Sequence, residues 1–287
     1  WMRGRLLARR LPVSSQTGAT VQLTIRTVLA DAMYTTADPT INLRKASLRD
    51  MVLAAYAQLG LAEPDFIFNA DLARNLVTGK GKSTKAPADL AKIKEDAAKP
   101  SPPEPVYNFV ERHLNRFHLT HWDGPDGRIV VGAPNDEQAP IYNLRCLRNA
   151  RAQRNNVMTM ERGEDFEEVP TRLTVAGVGG GREHRKAKVR FDVTDPVLTA
   201  AVPALDRSVV IVDDGIKNAA QVESRARREM AMRSLAKNAW RVGVDGWRYR
   251  DGHTKITYAV DTVADVQVDI APEASGAFLV YRVALKG

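Results

Sequence analysis

The stretch from Asn218 to Lys286 constrains the fold most. One helical pattern runs into alternating ones, and no catalytic motif lies between them. A helix is predicted over Asn218–Trp240, carrying Arg225, Arg227, Arg228, Arg233 and Lys237. At ~1.5 Å per residue it would be about 35 Å long. Its cations spread around the axis, and Val222, Ala226 and Met230 make only a narrow apolar stripe. Val244-Asp245-Gly246-Trp247 reads as an Asp-Gly turn between short strands, with Trp247 as a core or interface anchor. Strands are predicted over Lys255–Asp269 and Phe278–Lys286. In this region Ile256, Tyr258, Val260, Val266, Val268 and Ile270 hold even positions, and Lys255, Asp261, Asp265, Gln267 and Asp269 hold odd ones. Such a strand pair buries one face, the composition of a small antiparallel barrel.

Upstream, Thr20–Leu29 alternates Val21, Leu23, Ile25 and Leu29 with Gln22, Thr24 and Arg26, which reads as a strand. Ser14 to Gly18 before it reads as a hairpin loop. Ser47 can cap a helix, with Asp50 at the capping-box position; Leu48, Val52, Ala55 and Leu59 share one face, and Gly60 ends it. Pro87 opens a short helix through Leu90 and Ile93. Pro100, Pro102, Pro103 and Pro105 predict a stiff extended connector. It leads to a helix with Val106, Phe109, Val110, Leu114 and Phe117 on one stripe. Strands over Leu119–Trp122 and Arg128–Val131 follow, joined by a turn at Asp126-Gly127. Ser47–Pro134 thus forms a compact α/β unit. Further strands are predicted over Ile141–Leu147, Asn156–Met160, Thr171–Val178 and Ser208–Val212.

The 287 residues suffice for about two domains. Apolar residues make up 44% and charged residues 26%, with no apolar run of ~18 residues, so a globular chain without a membrane span is expected. Trp1–Leu11 lacks the apolar centre of a signal peptide. A start at Trp1 with Met2 behind it suggests that the chain begins inside a domain. Cys146 stands alone, which leaves no internal disulfide and no cysteine-based zinc site. The net charge of +8 favours polyanions or acidic protein partners, although basic and acidic residues are interspersed.

Four patterns suggest chemistry and fail on their details. Gly81-Lys82-Ser83-Thr84 matches the tail of a phosphate-binding loop, but Leu76 holds the place of its first glycine. His113, His118, His121 and Asp123 lack metal-ligand spacing. Glu161, Glu164, Asp165, Glu167 and Glu168 form a local acidic run rather than two carboxylates across a cleft. Gly177-Val178-Gly179-Gly180-Gly181-Arg182 follows a strand, but Glu183-His184-Arg185-Lys186 replaces the apolar helix of a dinucleotide site. No catalytic, cofactor-binding or metal-binding residue is therefore assigned, and the chain is not expected to be an enzyme.

With these pieces placed, the chain resembles the baseplate central hub proteins of Mu-like contractile phage tails, relatives of secretion-system spike N-terminal domains. Four features carry the resemblance. They are Ser47-Leu48-Arg49-Asp50 leading to Tyr56 and Leu59-Gly60-Leu61; the Pro-rich lead into Val106-Tyr107-Asn108-Phe109-Val110, with Trp122 and Asp126 to Pro134 following; the Arg-rich helix with Val242 to Trp247; and Val260-Asp261-Thr262-Val263 with Leu279 to Val283. The resemblance implies an α+β fold of two small antiparallel, tube-like β-barrels with inserted α/β segments. Residues 1–46 would begin the first barrel, incomplete at its N-terminus, and 47–135 would form the insert. Residues 136–178 and 241–287 would make the second barrel, with 179–240 a loop and long basic helix packed on it. It further implies a homotrimer forming a pseudo-sixfold ring in the virion baseplate, made in the host cytoplasm. The implied partners are the tail spike, the tail tube or distal tube protein and a tape-measure protein, with nucleic acid only passing through the lumen. A non-specific nucleic-acid-binding protein is the alternative, and a cell-wall hydrolase using Glu164 or Glu168 a third reading.

Overall fold

The structure is a computed structural model that describes residues 5–10, 13–14, 18–19, 22–69, 90, 94–124, 126–135, 137–148, 155–163, 169–178, 188–201, 207–216, 218–234, 239–246, 248–251, 254–269 and 271–284. It is a mixed α+β chain. Strands β1 (Arg5–Arg10), β2 (Val13–Ser14), β3 (Gly18–Ala19) and β4 (Gln22–Arg26) make two antiparallel pairs, β1 with β4 and β2 with β3. The predicted strand over 20–29 stops at Arg26. Thr27 ends it by capping helix α1 (Val28–Tyr34), accepting a hydrogen bond from the Ala30 amide at 3.3 Å. Leu29 is therefore buried from a helix rather than from a strand.

The next unit follows the sequence closely. After β5 (Leu43–Ser47), Ser47 caps α2 (Leu48–Ala57): its Oγ accepts from the Asp50 amide at 3.0 Å and donates to Asp50 Oδ2 at 2.6 Å. Gly60, at φ 74°, turns the chain out of the helix in a conformation that glycine adopts without steric cost. Then come β6 (Phe66–Ile67), β7 (Lys94–Ala98) and α3 (Val106–Leu114), which runs on as a 3₁₀ turn over Asn115–Phe117. Strands β8 (Thr120–Asp123) and β9 (Ile129–Gly132) close the unit. Its core gathers Leu48, Met51, Val52, Tyr56, Phe109 and Leu114, and it reaches back to Leu29 and Ala32 of α1. The core around α2 and α3 thus includes residues that precede 47.

The proline stretch is not a free connector. Its backbone is tied to residues 35–37 through Val106 N to Thr35 O at 2.9 Å and Ala37 N to Glu104 O at 2.8 Å. Arg112 of α3 grips Glu104 with both arms of its guanidinium, at 2.9 and 2.8 Å. The tie supplies partners for backbone groups that proline-rich chain would otherwise leave to water.

Strands β10 (Tyr142–Cys146) and β11 (Val157–Gly163) lead to β12 (Arg172–Val178), β13 (Lys188–Thr194), α4 (Pro196–Ala201) and β14 (Ser208–Asp213). Helix α5 follows at Ala219–Ser234. It is shorter than the predicted Asn218–Trp240, and Trp240 lies in β15 (Ala239–Val244). Strands β16 (Arg248–Asp251), β17 (Thr254–Thr257), β18 (Thr262–Val268) and β19 (Gly276–Val280) complete the fold. The single strand expected over 255–269 is broken between β17 and β18. There Asp261 takes φ 60°, and the buried Tyr142 hydroxyl donates to Thr257 O at 2.9 Å and accepts from Ala259 N at 3.0 Å.

The three-stranded sheets are mixed rather than antiparallel. β10 pairs parallel with β18, which pairs antiparallel with β19; β12 pairs parallel with β14 and antiparallel with β13; and β6 pairs parallel with β9, which pairs antiparallel with β8. Parallel partners must be reached by long crossovers, so the pattern of any one strand does not show them. Helix α5 lays Val222, Ala226 and Met230 over Leu173 and Val175 of β12 and Phe191 and Val193 of β13, a core distinct from that around Tyr142.

Removing the Ser47 hydroxyl isolates one local device. Ser47→Ala is expected to cost about 1 kcal/mol, which lowers the melting temperature by roughly 2–4 °C, while Ser47→Thr stays close to wild type; calorimetry on the three proteins checks it.

Candidate assembly surface

The chain brings its buried charges together where α3 meets α5. Arg116 Nε donates to Asp213 Oδ2 at 3.1 Å, and its Nη2 donates to Asp213 Oδ1. Both side chains are almost wholly buried. The remaining arm, Nη1, lies 3.1 Å from His113 Nδ1. Gly215 approaches so closely that a Cβ there would sit 2.2 Å from Arg116 Nη2, and its amide donates to Asp213 Oδ1 at 3.0 Å. Burial alone would push the Asp213 carboxyl up. The Arg116 hydrogen bonds and charge, with Arg225 beyond, outweigh it and hold the group below its ordinary value.

Helix α5 also finishes the end of α3. Arg225 Nη1 donates to Arg112 O at 2.9 Å, and Ser224 Oγ donates to Asn115 O at 3.2 Å while accepting from His118 N at 3.1 Å. His118 at φ 57° turns the chain away. The last carbonyls of a helix lack partners within it, so α5 supplies them from outside. Two of its other arginines are paired as well. Arg227 pairs with Glu223 and lies over the Phe191 ring, and Arg233 pairs with Glu229.

Behind this seam lies a buried polar node. Glu111 accepts from Thr120 Oγ1 at 2.9 Å, and its Oε2 lies 3.0 Å from His121 Nδ1. The rings of Tyr107 and Tyr56 flank His121, with centroids at 4.5 and 5.9 Å. Burial pushes the Glu111 carboxyl up, but His121, Thr120 and Arg228 outweigh it and hold the group low. Asp123 shows the opposite balance, since burial dominates and raises it.

The exposed apolar surface lies elsewhere. Among the described residues, β14 is an edge strand of the sheet β13-β12-β14. Val209 and Ile211 pack toward α5, whereas Val210 and Val212 are 65% and 69% exposed on the outer face. The neighbouring outer positions are polar: Thr174 donates to Asp192 at 2.6 Å, and Arg190 donates to the same carboxylate. An edge strand carrying bare valines, without the lysine or proline that blunts such edges, offers itself for pairing.

Of the residues singled out in the sequence, His113 and His121 are both buried but in different contacts, His113 beside Arg116 and His121 beside Glu111. Among the described residues no group of three His, Cys, Asp or Glu could hold a metal. Glu161 pairs with Arg241 on the surface. Residues 81–84, the acidic positions 164–168, the glycine loop from 179, Lys237 and Trp247 lie outside the described residues, as does the helix expected from Pro87 apart from Leu90. No described helix is long and apolar enough to cross a membrane. The Arg116–Asp213 pair and the bare face of β14 were not singled out in the sequence. The second was legible, because Val209 to Val212 is apolar on both faces.

No family model and no curated protein matches the sequence. Solved structures do. The tail protein from Neisseria meningitidis MC58 superposes with a TM-score of 0.68 at 18% identity, over 97% of this chain and 73% of its own. The 43 kDa tail protein of prophage MuSo2 from Shewanella oneidensis gives 0.61 at 14% identity, over 96% of this chain and 71% of its own. The chain has the fold of these tail proteins.

Two substitutions test the seam. Asp213→Asn leaves the buried Arg116 charge uncompensated and is expected to cost about 3–5 kcal/mol; Gly215→Ala destabilises by clash with the same guanidinium. Because the Asp213 and Glu111 carboxyls are held low, their contribution is full above the ordinary carboxylate range and is lost as pH falls through their folded values. Asp123, raised by burial, acts the other way: its contribution is present at low pH and lost as pH rises through its folded value. Urea midpoints should therefore fall below about pH 4, and less steeply in Asp213→Asn.

Proposed function

We propose that the chain is a structural hub of a contractile phage tail baseplate. Three copies form a pseudo-sixfold ring that joins the tail tube to the central spike. The observation that supports this most is the shared fold: nearly the whole chain superposes on two phage tail proteins. The hub assignment itself rests on the sequence resemblance given above. In this reading the sheets at the two ends of the chain belong to two tube-like barrels, which lets three subunits imitate six. The chain works without a catalytic residue, cofactor or metal. It acts in the virion baseplate after synthesis in the host cytoplasm, with the spike, the tube or distal tube protein and the tape-measure protein as partners.

The bare edge of β14 fits such a ring. A head-to-tail contact between different surfaces closes when its rotation closes, and a strand edge covered by a neighbour is no longer a hazard. Against the nucleic-acid alternative, Arg225 is committed to the seam, and Arg227 and Arg233 pair with glutamates on their own helix.

Light scattering after gel filtration tests the ring. Three copies of the 31.7 kDa chain give about 95 kDa, and Val210→Lys with Val212→Lys is expected to return the mass to that of one chain. A wild-type monomer at every concentration, alone and with the spike protein, overturns the ring.

A further inference from the structure

Two separate apolar cores lie on either side of the α3–α5 seam. One gathers Leu48, Val52, Phe109 and Leu114 of α2 and α3, and the other sets Val222 and Met230 of α5 against β12. The bonds described across the seam are polar. Arg116 holds Asp213, Arg225 reaches the same carboxylate at 3.8 Å and the Arg112 carbonyl at 2.9 Å, and Ser224 ties Asn115 to His118. Each carboxylate here is faced by cations from more than one element. Asp213 faces Arg116 of α3 and Arg225 of α5, with His113 on the far arm of Arg116, and with Arg112 and Glu229 near Arg225. Glu111 faces His121 of β8 and Arg228 of α5, with Asp123 and the hydroxyls of Tyr56 and Tyr107 close by. Arg112 is also held by Glu104, and Glu229 by Arg233.

We infer that the seam is a proton-operated latch: when Asp213 and Glu111 take up protons, α5 with its sheet parts from the end of α3 while both apolar cores stay folded. A guanidinium buried beside its carboxylate is compensated. The same guanidinium beside a neutral acid is a lone buried charge, which water entering the seam relieves. Protonation of His113 or His121 would add a further cation in the same place. A seam held by polar bonds gives up less apolar burial on parting than either core does, so it opens as a local unit. The sign follows from the two carboxyls, which their cations hold low. The latch is closed above the ordinary carboxylate range and opens as pH falls through their folded values. Asp123, raised by burial, gives up its charge before them, and the Tyr56 and Tyr107 hydroxyls, pushed up by burial, stay neutral throughout. The inference concerns the single chain and does not depend on the ring.

Hydrogen–deuterium exchange read by mass spectrometry, corrected for intrinsic rates and run from about pH 7 to pH 3, tests the latch. Peptides over 112–119 and 213–228 report the seam, and peptides over 48–57 and 172–178 report the two cores. As pH falls, the seam peptides are expected to lose at least about tenfold in protection while the core peptides keep theirs. At neutral pH, Asp213→Asn and separately Glu111→Gln should loosen the seam in the same way, because each replaces a charged carboxylate by a neutral isostere. Ser224→Ala removes seam bonds without removing a titratable group, so it should loosen the seam at every pH and leave the wild-type pH dependence. Loss of seam and core protection together means that acid unfolds the whole chain, and it overturns the latch. So does seam protection that does not change with pH, or a seam left intact at neutral pH in both carboxylate variants. Should Asp213→Asn fail to fold, Glu111→Gln decides. Light scattering at each pH keeps a change of assembly apart from opening of the seam.

Discussion

A guanidinium and a carboxylate, Arg116 and Asp213, meet in the interior from positions 97 residues apart in the chain. The placing of the helices follows from keeping them paired. A buried ion pair is weak support for stability by itself, because desolvating both charges costs about as much as their attraction returns. What it supplies is geometry. The fork of Arg116 accepts one orientation of the Asp213 carboxylate, and the carboxylate is aimed by the turn at Gly215, whose missing side chain leaves the guanidinium its space. That turn leads directly into α5, so the pair fixes where α5 starts.

The character of α5 follows from its position. Its apolar stripe is narrow, and an isolated helix of such a sequence would be marginal. It holds because two other surfaces receive it: the sheet takes Val222, Ala226 and Met230, and the end of α3 takes Ser224 and Arg225. A cation near the last carbonyls of α3 also opposes the negative end of that helix. Arg225, one of the arginines that make the segment look like a polyanion site, is thus structural.

Local devices were legible in the sequence and distant ones were not. Ser47 with Asp50, and Gly60 twelve to thirteen positions into the same segment, declare α2 because every atom involved is near in the chain. The alternation of β18 declares its buried face for the same reason. Leu29 continued a strand pattern, and only the Thr27 cap shows that the chain has already turned into a helix. Strand β13 alternates Val189, Phe191 and Val193 with Arg190 and Asp192, a readable pattern obscured by the glycine and basic run before it. The proline stretch, the break at Asp261 and the Arg116–Asp213 pair all depend on partners far along the chain. No window of sequence contains both members.

The Arg116–Asp213 pair and the end of α3 find partners inside the chain, which makes the surface exceptions informative. β14 is apolar on both faces, the pattern of a strand covered on both sides, yet one face is bare. The β16–β17 hairpin sets two cations against each other where a single acidic residue would remove the repulsion. Neither feature stabilises an isolated chain. Covering the valines of β14 with another apolar surface would turn that exposure into burial, which is the physical reason the proposed ring would draw on this edge.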